Sequence, residues 1–212
     1  MIQIKTFIFN PFSVNTYVVW DDSKEAAIID CSAYSQSEFK QLNSFLEENK
    51  LTPKLLLNTH CHIDHITGIS DMKTHYPNIK YIAHKEEVQI IKNAPEYGKM
   101  LGFQMNETNL PDEYTEHNKV FNIGNFKLKT IHTPGHTAGG VCFYIEDNAS
   151  LFSGDTLFER GIGRTDMPTG NFDSIINSIK TQLFCLPLNT KVYPGHGKSS
   201  TISDEIKYNP FL

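Results

Sequence analysis

Short runs of apolar residues near the start of the chain follow the pattern of β-strands. Residues 2–9, 16–20 and 26–30 are rich in β-branched and aromatic side chains, and the pairs Asn10-Pro11 and Asp21-Asp22 mark turns between them. A capping box, Ser-Gln-Ser-Glu at residues 35–38, then precedes apolar residues at helical spacing. The pattern predicts three strands followed by an amphipathic helix over residues 38–49.

The alternation of strand and helix continues through the middle of the chain. Residues 54–58 and 80–83 have the composition of buried strands, whereas residues 68–75 and 85–93 have helical periodicity. Residues 94–118 contain two prolines, two glycines and several polar side chains. This last stretch is predicted to be an irregular flap or a broken helix.

The C-terminal part of the chain repeats this order. Residues 119–122 pair with 126–132 in one predicted hairpin, and residues 141–146 pair with 151–152 in another. Asn171 can cap a helix whose apolar residues recur up to Leu183, and residues 191–193 form a last strand. Two similar halves, each a sheet with helices on its outer face, predict an α/β protein with a four-layer αββα sandwich.

Length and composition limit the number of domains and the kinds of partner but do not indicate the chemistry. The chain has 212 residues and a net charge of −5, so we expect one domain over residues 1–212. No cluster of lysine and arginine is dense enough to follow a phosphate backbone, and no apolar run is long enough to span a bilayer. The four cysteines form no C-x-x-C pair, and no signal-peptide pattern is present. We therefore expect a reduced cytoplasmic protein that binds neither nucleic acid nor membrane, and the oligomeric state stays open.

The strongest chemical signal is the run Thr-His-Cys-His-Ile-Asp-His at residues 59–65. His60 and His62 are two residues apart, so an extended backbone places both imidazoles on one side, where they can bind one metal ion. Asp64 and His65 lie beyond the predicted bend and can face a neighbouring metal ion. With only nine histidines in 212 residues, chance clustering in a polar loop is a weak explanation.

Three more candidate ligands stand beside glycine in later turns. His136 lies in Thr-Pro-Gly-His-Thr, Asp155 in Phe-Ser-Gly-Asp-Thr and His196 in Pro-Gly-His-Gly. Each alone would be an ordinary surface or capping residue, but loops can project such side chains into a shared cleft. Together with the first run they supply the ligands that a pair of four- or five-coordinate metal ions requires.

The order of these motifs resembles the metallo-β-lactamase fold superfamily over essentially the whole chain. The resemblance implies three ligands for each of two metal ions and one carboxylate between them. The ligands of the first ion would be His60, His62 and His136, those of the second Asp64, His65 and His196, and the bridge Asp155. Asp30 corresponds to an acid behind the ligands, although this chain has Asp-Cys-Ser at residues 30–32 where Asp-Pro-Gly is usual.

Within the superfamily, residues 154–158 and 161–166 resemble the short, single-domain members of the glyoxalase II group, the hydroxyacylglutathione hydrolases. That resemblance implies a dinuclear-metal hydrolase that cleaves a small-molecule thioester such as S-lactoylglutathione by a metal-bound hydroxide. Asp64 would orient the nucleophile or accept its proton. The cofactors would be two divalent ions, with zinc favoured over iron and manganese. Arg164 falls where longer members place a basic residue against glutathione, and an ion pair with Asp166 is an equal interpretation.

Other functions of the same fold stay open on the sequence. An iron-dependent persulfide dioxygenase shares the ligands and the Gly-Arg-Thr-Asp string but binds one iron through two histidines and one aspartate. The acidic charge and the lack of a large inserted domain count against a nuclease. A di-iron flavoprotein would have an acid at the position of His62 and a flavin domain. A non-enzymatic metal-binding module would need fewer ligands than these seven.

Several residues that could carry chemistry have a plainer interpretation. Cys61 should point away from the metals and pack, and Cys31, Cys142 and Cys185 lie in apolar surroundings typical of a core. The four histidines outside the pattern should be surface or hydrogen-bonding residues: His75, His84, His117 and His132. Tyr97 and Phe103 could line a substrate mouth or pack the flap against the protein.

Overall fold

Two six-stranded sheets make up the centre of the protein, as seen in a computed structural model that describes residues 1–105 and 109–212. The first sheet contains, in sequence and spatial order, β1 (Gln3–Phe9), β2 (Val14–Trp20), β3 (Glu25–Ile29), β4 (Thr52–Leu57), β5 (Lys80–His84) and β6 (Glu113–Thr115). The second contains β7 (Val120–Ile123), β8 (Phe126–His132), β9 (Val141–Ile145), β10 (Ser150–Gly154), β13 (Lys191–Pro194) and β14 (Ser200–Thr201). A separate ribbon pairs β11 (Leu157–Phe158) with β12 (Gly161–Ile162).

Six α-helices accompany the sheets in the described part of the chain. They are α1 (Gln36–Glu48), α2 (Ile63–Ile66), α3 (Ile69–His75), α4 (Val88–Met100), α5 (Phe172–Ser178) and α6 (Ile202–Tyr208). A 3₁₀ turn, Lys85–Glu87, leads into α4, and a π-helical turn, Ile179–Leu183, follows α5. Within the described ranges, no helix combines the length and apolar character needed to cross a membrane.

The two halves share the same central topology, although β5 and β6 continue the first sheet in parallel and β14 pairs antiparallel to β13 in the second. In the first, an antiparallel meander of β1, β2 and β3 is followed by α1 and a crossover to β4, which pairs parallel to β3. In the second, an antiparallel meander from β7 to β10 is followed by α5 and a crossover to β13, which pairs parallel to β10. The prediction of two similar halves is confirmed.

Three apolar clusters separate four layers. The adjacent residues Val18 and Val19 show the period-two alternation, because Val18 packs toward the helices and Val19 packs between the sheets. The first cluster also contains Leu42 of α1 and Ile91 of α4, and the third joins Ile175 of α5 to the outer face of the second sheet. The order helix, sheet, sheet, helix confirms the predicted αββα sandwich.

The predicted capping signals are present in the structure. Ser35 and Glu38 form the predicted capping box at the start of α1, and the Asn171 side chain accepts a hydrogen bond from the Ser174 amide at the start of α5. The predicted strands and hairpins agree with the observed ones to within a few residues. The ribbon of β11 and β12 and strand β14 were not predicted, because segments of two residues carry no periodicity. Helix α6, of seven residues, was also not predicted.

The prediction for residues 94–118 was partly wrong. Helix α4 continues through Pro95 to Met100, and β6 adds a parallel edge strand beside β5. A proline removes one donor from a helix, yet Ala94 and Gly98 on either side of it are buried against the core and hold the helix in place. Residues 106–108 of this stretch lie outside the described residues.

The cysteine predictions hold except at one position. Cys31, Cys61 and Cys142 are buried, and Cys61 Sγ lies 3.6 Å from the Tyr81 hydroxyl as part of the packing. Cys185, predicted to be a core residue, is exposed. It follows the π-helical turn on the solvent side, where its Sγ donates to the Thr181 carbonyl at 3.2 Å. The apolar residues next to Cys185 in the sequence therefore led to a wrong prediction of its burial.

A glycine fixes the approach of α5 to the loop that carries His136. Gly135 has a φ of +141°, and a Cβ at this position would lie 2.3 Å from the Ile175 amide nitrogen. Its carbonyl accepts a hydrogen bond from the Asn171 amide at 2.8 Å. Both the backbone angle and the close contact require a residue without a side chain.

We expect Gly135→Ala to lower the free energy of unfolding by about 3 kcal/mol, because strain and a backbone clash add together. Gly102→Ala is the matched control: Gly102 has a φ of +83°, and a Cβ added there would meet no atom within 4 Å. Gly102→Ala should lower the free energy of unfolding by only about 1 kcal/mol, the conformational strain alone. Urea unfolding would measure both, and equal losses would contradict the role of the close contact.

Candidate metal centre

All seven candidate ligands meet at one end of the two sheets. The first four follow β4, where the chain bends into the short helix α2 that carries Asp64 and His65. The other three follow second-half strands: His136 lies after β8, Asp155 directly after β10 and His196 after β13. Since strand ends of both sheets meet here, residues far apart in sequence share one cleft.

One group of three imidazoles lies on the first side of the cleft. The nearest ring nitrogens of His60, His62 and His136 all fall within 4.8 Å of one another. His62 Nδ1 is 3.0 Å from His136 Nε2. His60 and His136 are almost fully buried, 2% and 5% exposed. Three imidazoles at this spacing form a donor set typical of zinc and other divalent transition metals.

A second group lies beside it. Asp64, His65 and His196 also offer ligand atoms within 4.8 Å of one another. His65 Nε2 is 3.3 Å from His196 Nε2, and Asp64 Oδ2 is 3.4 Å from His196 Nε2. The rings of His60 and His65 are 4.1 Å apart between centroids, so the two groups adjoin.

The carboxylate of Asp155 lies between the two groups. Its Oδ1 is 3.5 Å from His65 Nε2 in the second group. Its Oδ2 is 3.7 Å from His136 Nε2 in the first group and 3.6 Å from His196 Nε2 in the second. Asp155 is therefore the carboxylate that faces both sets of imidazoles.

Hydrogen bonds behind the rings fix which nitrogens face the cleft with lone pairs. A carbonyl oxygen can only accept, so His136 Nδ1 donates to the Arg164 carbonyl at 2.8 Å and His196 Nδ1 donates to the Phe12 carbonyl at 3.0 Å. His65 Nδ1 is 3.2 Å from Asp30 Oδ2. In the neutral His136 and His196 rings the Nε2 then carries a lone pair toward the cleft, and the nearby Asp30 carboxylate favours the same arrangement in His65, although no hydrogen bond is formed there.

Converging lone pairs need a positive charge between them. When both rings are neutral, as metal-ligating imidazoles are, His65 Nε2 and His196 Nε2 face each other at 3.3 Å with no hydrogen between them. In addition, His60 Nε2 and Asp155 Oδ1 are buried and have no hydrogen-bond partner within residues 1–105 and 109–212. Buried polar atoms without partners are costly in a native structure. The donor set therefore fits divalent cations.

The pKa shifts of the histidines in the cluster also show that its carboxylates favour a positive charge. Burial lowers the pKa of His65, but the carboxylates of Asp155, Asp64 and Asp30 outweigh it and raise that pKa to about 10. Burial and the neighbouring His136 lower the pKa of His62 to about 3. The carboxylates thus favour a cation at the centre, while the first imidazole group stays neutral and able to act as ligands.

A buried acid holds the first ligand run from behind. Asp30, 1% exposed, accepts from the Thr59 amide at 2.8 Å and from the Thr59 hydroxyl at 2.7 Å. The unusual turn after it is closed by polar contacts, since the Ser32 amide donates to Thr16 Oγ1 at 3.0 Å. Asp30 thus contacts both the peptide before His60 and the ring of His65.

A second buried acid, not foreseen from the sequence, joins two ligand loops. Glu87 is fully buried at the end of the 3₁₀ turn. Its carboxylate accepts from the Cys61 amide at 2.7 Å and from the Gly139 amide at 3.0 Å. The first amide lies between His60 and His62, and the second lies three residues after His136. No local pattern signals this residue, because its partners are 26 and 52 positions away.

Arg164 lies at the rim of the cleft. Its Nε and a terminal nitrogen each donate to the Asp166 carboxylate at 2.7 Å, and both side chains are exposed. Tyr97 borders the cleft, whereas Phe103 is 2% exposed and packs against the rings of Tyr34 and Phe12. Of the two interpretations of Phe103, packing against the protein is the one that fits, rather than lining a substrate mouth.

The remaining histidines have partners of their own. The rings of His84 and His132 stack with centroids 4.5 Å apart, and the His117 ring accepts from the His132 amide at 3.2 Å. His75 is exposed and meets the edge of Phe39. These residues are the surface and hydrogen-bonding histidines that the sequence pattern predicted.

Comparison with known proteins assigns the family. The sequence pattern of the metallo-beta-lactamase superfamily matches residues 9–196, a span that contains all seven candidate ligands. The chain belongs to this superfamily, and the predicted resemblance is confirmed. The fold implies divalent metal ions, in agreement with the histidine and aspartate groups of the cleft.

Individual relatives are similar over nearly the full chain. Hydroxyacylglutathione hydrolase GloC of Haemophilus influenzae is 35% identical over 214 residues, covering 100% of this chain and 98% of GloC. The crystal structure of the B3 metallo-beta-lactamase BLEG-1 superposes with a TM-score of 0.91 at 33% identity, covering 99% of each chain. TTHA1623 in a di-iron-bound form superposes with a TM-score of 0.86 at 28% identity, covering 99% of this chain and 100% of the other.

We expect Glu87→Ala to weaken divalent-metal binding roughly 10- to 100-fold, the usual effect of removing a group that orients ligands. The substitution leaves two buried amides without an acceptor and loosens both ligand loops. Competition with a metal chelator would measure the affinity. Glu86→Ala, at the exposed neighbouring position, is the control and should bind metal as the wild type does. Unchanged affinity in Glu87→Ala would contradict this role.

Proposed function

We propose that this protein is a dinuclear-metal hydrolase that cleaves small-molecule thioesters such as S-lactoylglutathione. The observation that carries the proposal is Asp155, whose two oxygens face two separate groups of lone-pair-bearing imidazoles. The likeness to GloC, a hydroxyacylglutathione hydrolase, supports the thioester as the substrate class. Water would add to the acyl carbon, the C–S bond would break, and a carboxylic acid and a thiol would be released.

Each ligand has a proposed place. His60, His62 and His136 would hold one ion, and Asp64, His65 and His196 would hold the other. We propose zinc as the metal, with iron and manganese as alternatives, and the di-iron-bound form of TTHA1623 supports the inclusion of iron. Two such ions supply an ionised water near neutral pH and stabilise the negative charge that develops on the acyl oxygen.

Asp64 has a second proposed role as proton acceptor. Burial opposes ionisation, but His65 and His196 outweigh it and hold the pKa of Asp64 below its usual range. An ionised carboxylate at the cleft can orient the attacking water and take its proton. The leaving thiol has an ordinary pKa of about 8.5 and departs as a thiolate with little help. This suits a cleft without a further acid dedicated to the leaving group.

A mononuclear-iron dioxygenase remains the alternative function, and metal stoichiometry separates the two. A dioxygenase of this fold would hold one iron through two histidines and one aspartate and would consume oxygen. Three expectations from the sequence stay predictions. They are the lack of nucleic-acid and membrane partners, the cytoplasmic location, and a single domain over residues 1–212. They do not affect the test of the chemistry.

Elemental analysis of metal-replete protein should return two divalent ions per chain, and thioester hydrolysis should be lost on chelation and restored by metal. Asp155→Ala should reduce the affinity of both sites, since the carboxylate faces both groups. His75→Ala, in an exposed histidine outside the cleft, should keep both metal content and activity. One iron per chain together with oxygen uptake would overturn the proposal in favour of the dioxygenase.

Arg164 is the proposed contact for the acidic groups of a thiol carrier. We expect Arg164→Ala to raise KM for S-lactoylglutathione up to roughly fivefold with a smaller change in kcat. An exposed ion pair between Arg164 and the substrate would contribute at most about 1 kcal/mol to binding. Because this contribution would be equal in the ground state and the transition state, its loss would affect KM more than kcat. Arg160→Ala, whose guanidinium lies over Tyr208 in the same region, is the control. If both variants kept the wild-type KM, Arg164 would serve only to pair with Asp166.

A further inference from the structure

An apolar pocket opens beside the first imidazole group. Its cavity volume is about 100 Å³, and its mouth is open to solvent. Its wall comes from α2, α4 and the loop after Arg164, through Ile63, Ile90, Ala94, Tyr97, Met167 and Pro168. The polar residues of the lining are His62 and Asn93. No lysine, arginine, aspartate or glutamate lines this pocket among the residues that the structure describes.

The pocket is a branch of the metal-binding cleft. The open cleft is bordered by Asp64, His136, Asp155, Arg164 and His196, and it shares His62, Ile63, Tyr97 and Met167 with the pocket. A molecule whose reacting carbon lies among the ligands can therefore extend in two directions. One leads past Arg164 to solvent, and the other leads into the apolar branch.

Packing holds the pocket walls in place. Gly98 of α4 lies against Ile63 so closely that a Cβ there would be 2.6 Å from Ile63 Cδ1, which fixes α4 beside α2. On the opposite side, the Tyr97 hydroxyl lies 3.7 Å from Met167 Sδ and links α4 to the loop. Ala94, which lies one turn before Tyr97 and Gly98 in α4, is a small residue of the lining, so a longer side chain there would fill part of the pocket. The pocket is therefore preformed rather than a gap between mobile segments.

Charge separates the two directions of the cleft. The rim carries Arg164 paired with Asp166, which suits the charged groups of a thiol carrier. A charged or hydroxylated group in the apolar branch would lose its hydration with little to replace it. An aliphatic or aryl group would lose unfavourable contact with water instead.

We infer that this pocket binds an apolar acyl group, so that the preferred substrates are thioesters of aliphatic or aryl acids rather than of short hydroxy acids. The inference rests on the proposed thioester hydrolysis and specifies its substrate class. Each buried methylene adds about fourfold in affinity. The ratio kcat/KM should therefore rise by about that factor per methylene from acetyl through butyryl and then level off, with butyryl above lactoyl.

The test compares acetyl, lactoyl, butyryl and hexanoyl thioesters of glutathione with metal-loaded protein. Ala94→Leu narrows the pocket and should remove the gain in kcat/KM with chain length. Met167→Ala widens the pocket and should extend the rise of kcat/KM to the hexanoyl thioester. Because Met167 is half-buried, this substitution should affect the stability of the fold less than one in the core. Glu96→Leu adds an apolar side chain to an exposed position of the same helix and should leave the series unchanged.

A second measurement does not depend on turnover. Calorimetric titration with acetate, butyrate and hexanoate should give affinities for the metal-loaded protein that rise with chain length in the wild type but not in Ala94→Leu. A rise in carboxylate affinity without thioester hydrolysis would support the pocket and overturn the proposed function. Hydrolysis with flat or falling kcat/KM, or a lactoyl preference that Ala94→Leu leaves intact, would overturn the pocket inference alone.

Discussion

The buried carboxylate of Asp30 is the interaction on which the geometry of the cleft depends. A desolvated charge is tolerated only when several donors surround it, and here those donors lie at the start of the ligand run and on the residue before it. The Thr59 amide, the Thr59 hydroxyl and the Asn58 side-chain amide donate to it. The strand-to-helix bend after β4 is consequently the conformation that satisfies Asp30, and the positions of His60 and His65 follow from that bend.

The acids around the cleft divide into two kinds. Asp30 and Glu87 lie behind the ligands and bind backbone amides of the loops, whereas Asp64 and Asp155 face inward among the imidazoles. The acids behind fix where the loops run, and the acids in front set the charge that the cleft attracts. This separation explains how five imidazoles can be held close together in a protein interior before any cation neutralises the carboxylates between them.

Features specified by neighbouring residues were predicted well. The capping box at Ser35, the cap at Asn171 and the period-two strands depend on contacts within a few positions, so the sequence alone reveals them. The clustering of the ligands was also predictable, because the spacing of His60 and His62 limits where their side chains can point. Comparison with known proteins then confirmed the superfamily.

The features that escaped prediction depend on distant partners. Glu87 has the appearance of any helix-start acid, and only the fold brings the Gly139 amide to it. Pro95 suggested a break, but burial of the flanking residues outweighed the loss of one hydrogen bond. Cys185 was misjudged because apolar neighbours along the chain do not fix which side of a turn faces solvent.

The division of the ligands between the halves has a mechanical consequence. Four come from the first half and three from the second. Hydrogen bonds also cross this seam, among them those from the Asn15 amide to the Gly195 carbonyl and from the Tyr17 hydroxyl to the Pro194 carbonyl. Cations held here would add further cross-links between two sheet-and-helix units that also meet through these hydrogen bonds and an apolar layer. Closing such a connection restricts the unfolded chain as well as joining the folded halves. The kinetic resistance of the protein to unfolding and proteolysis would then report the occupancy of the cleft.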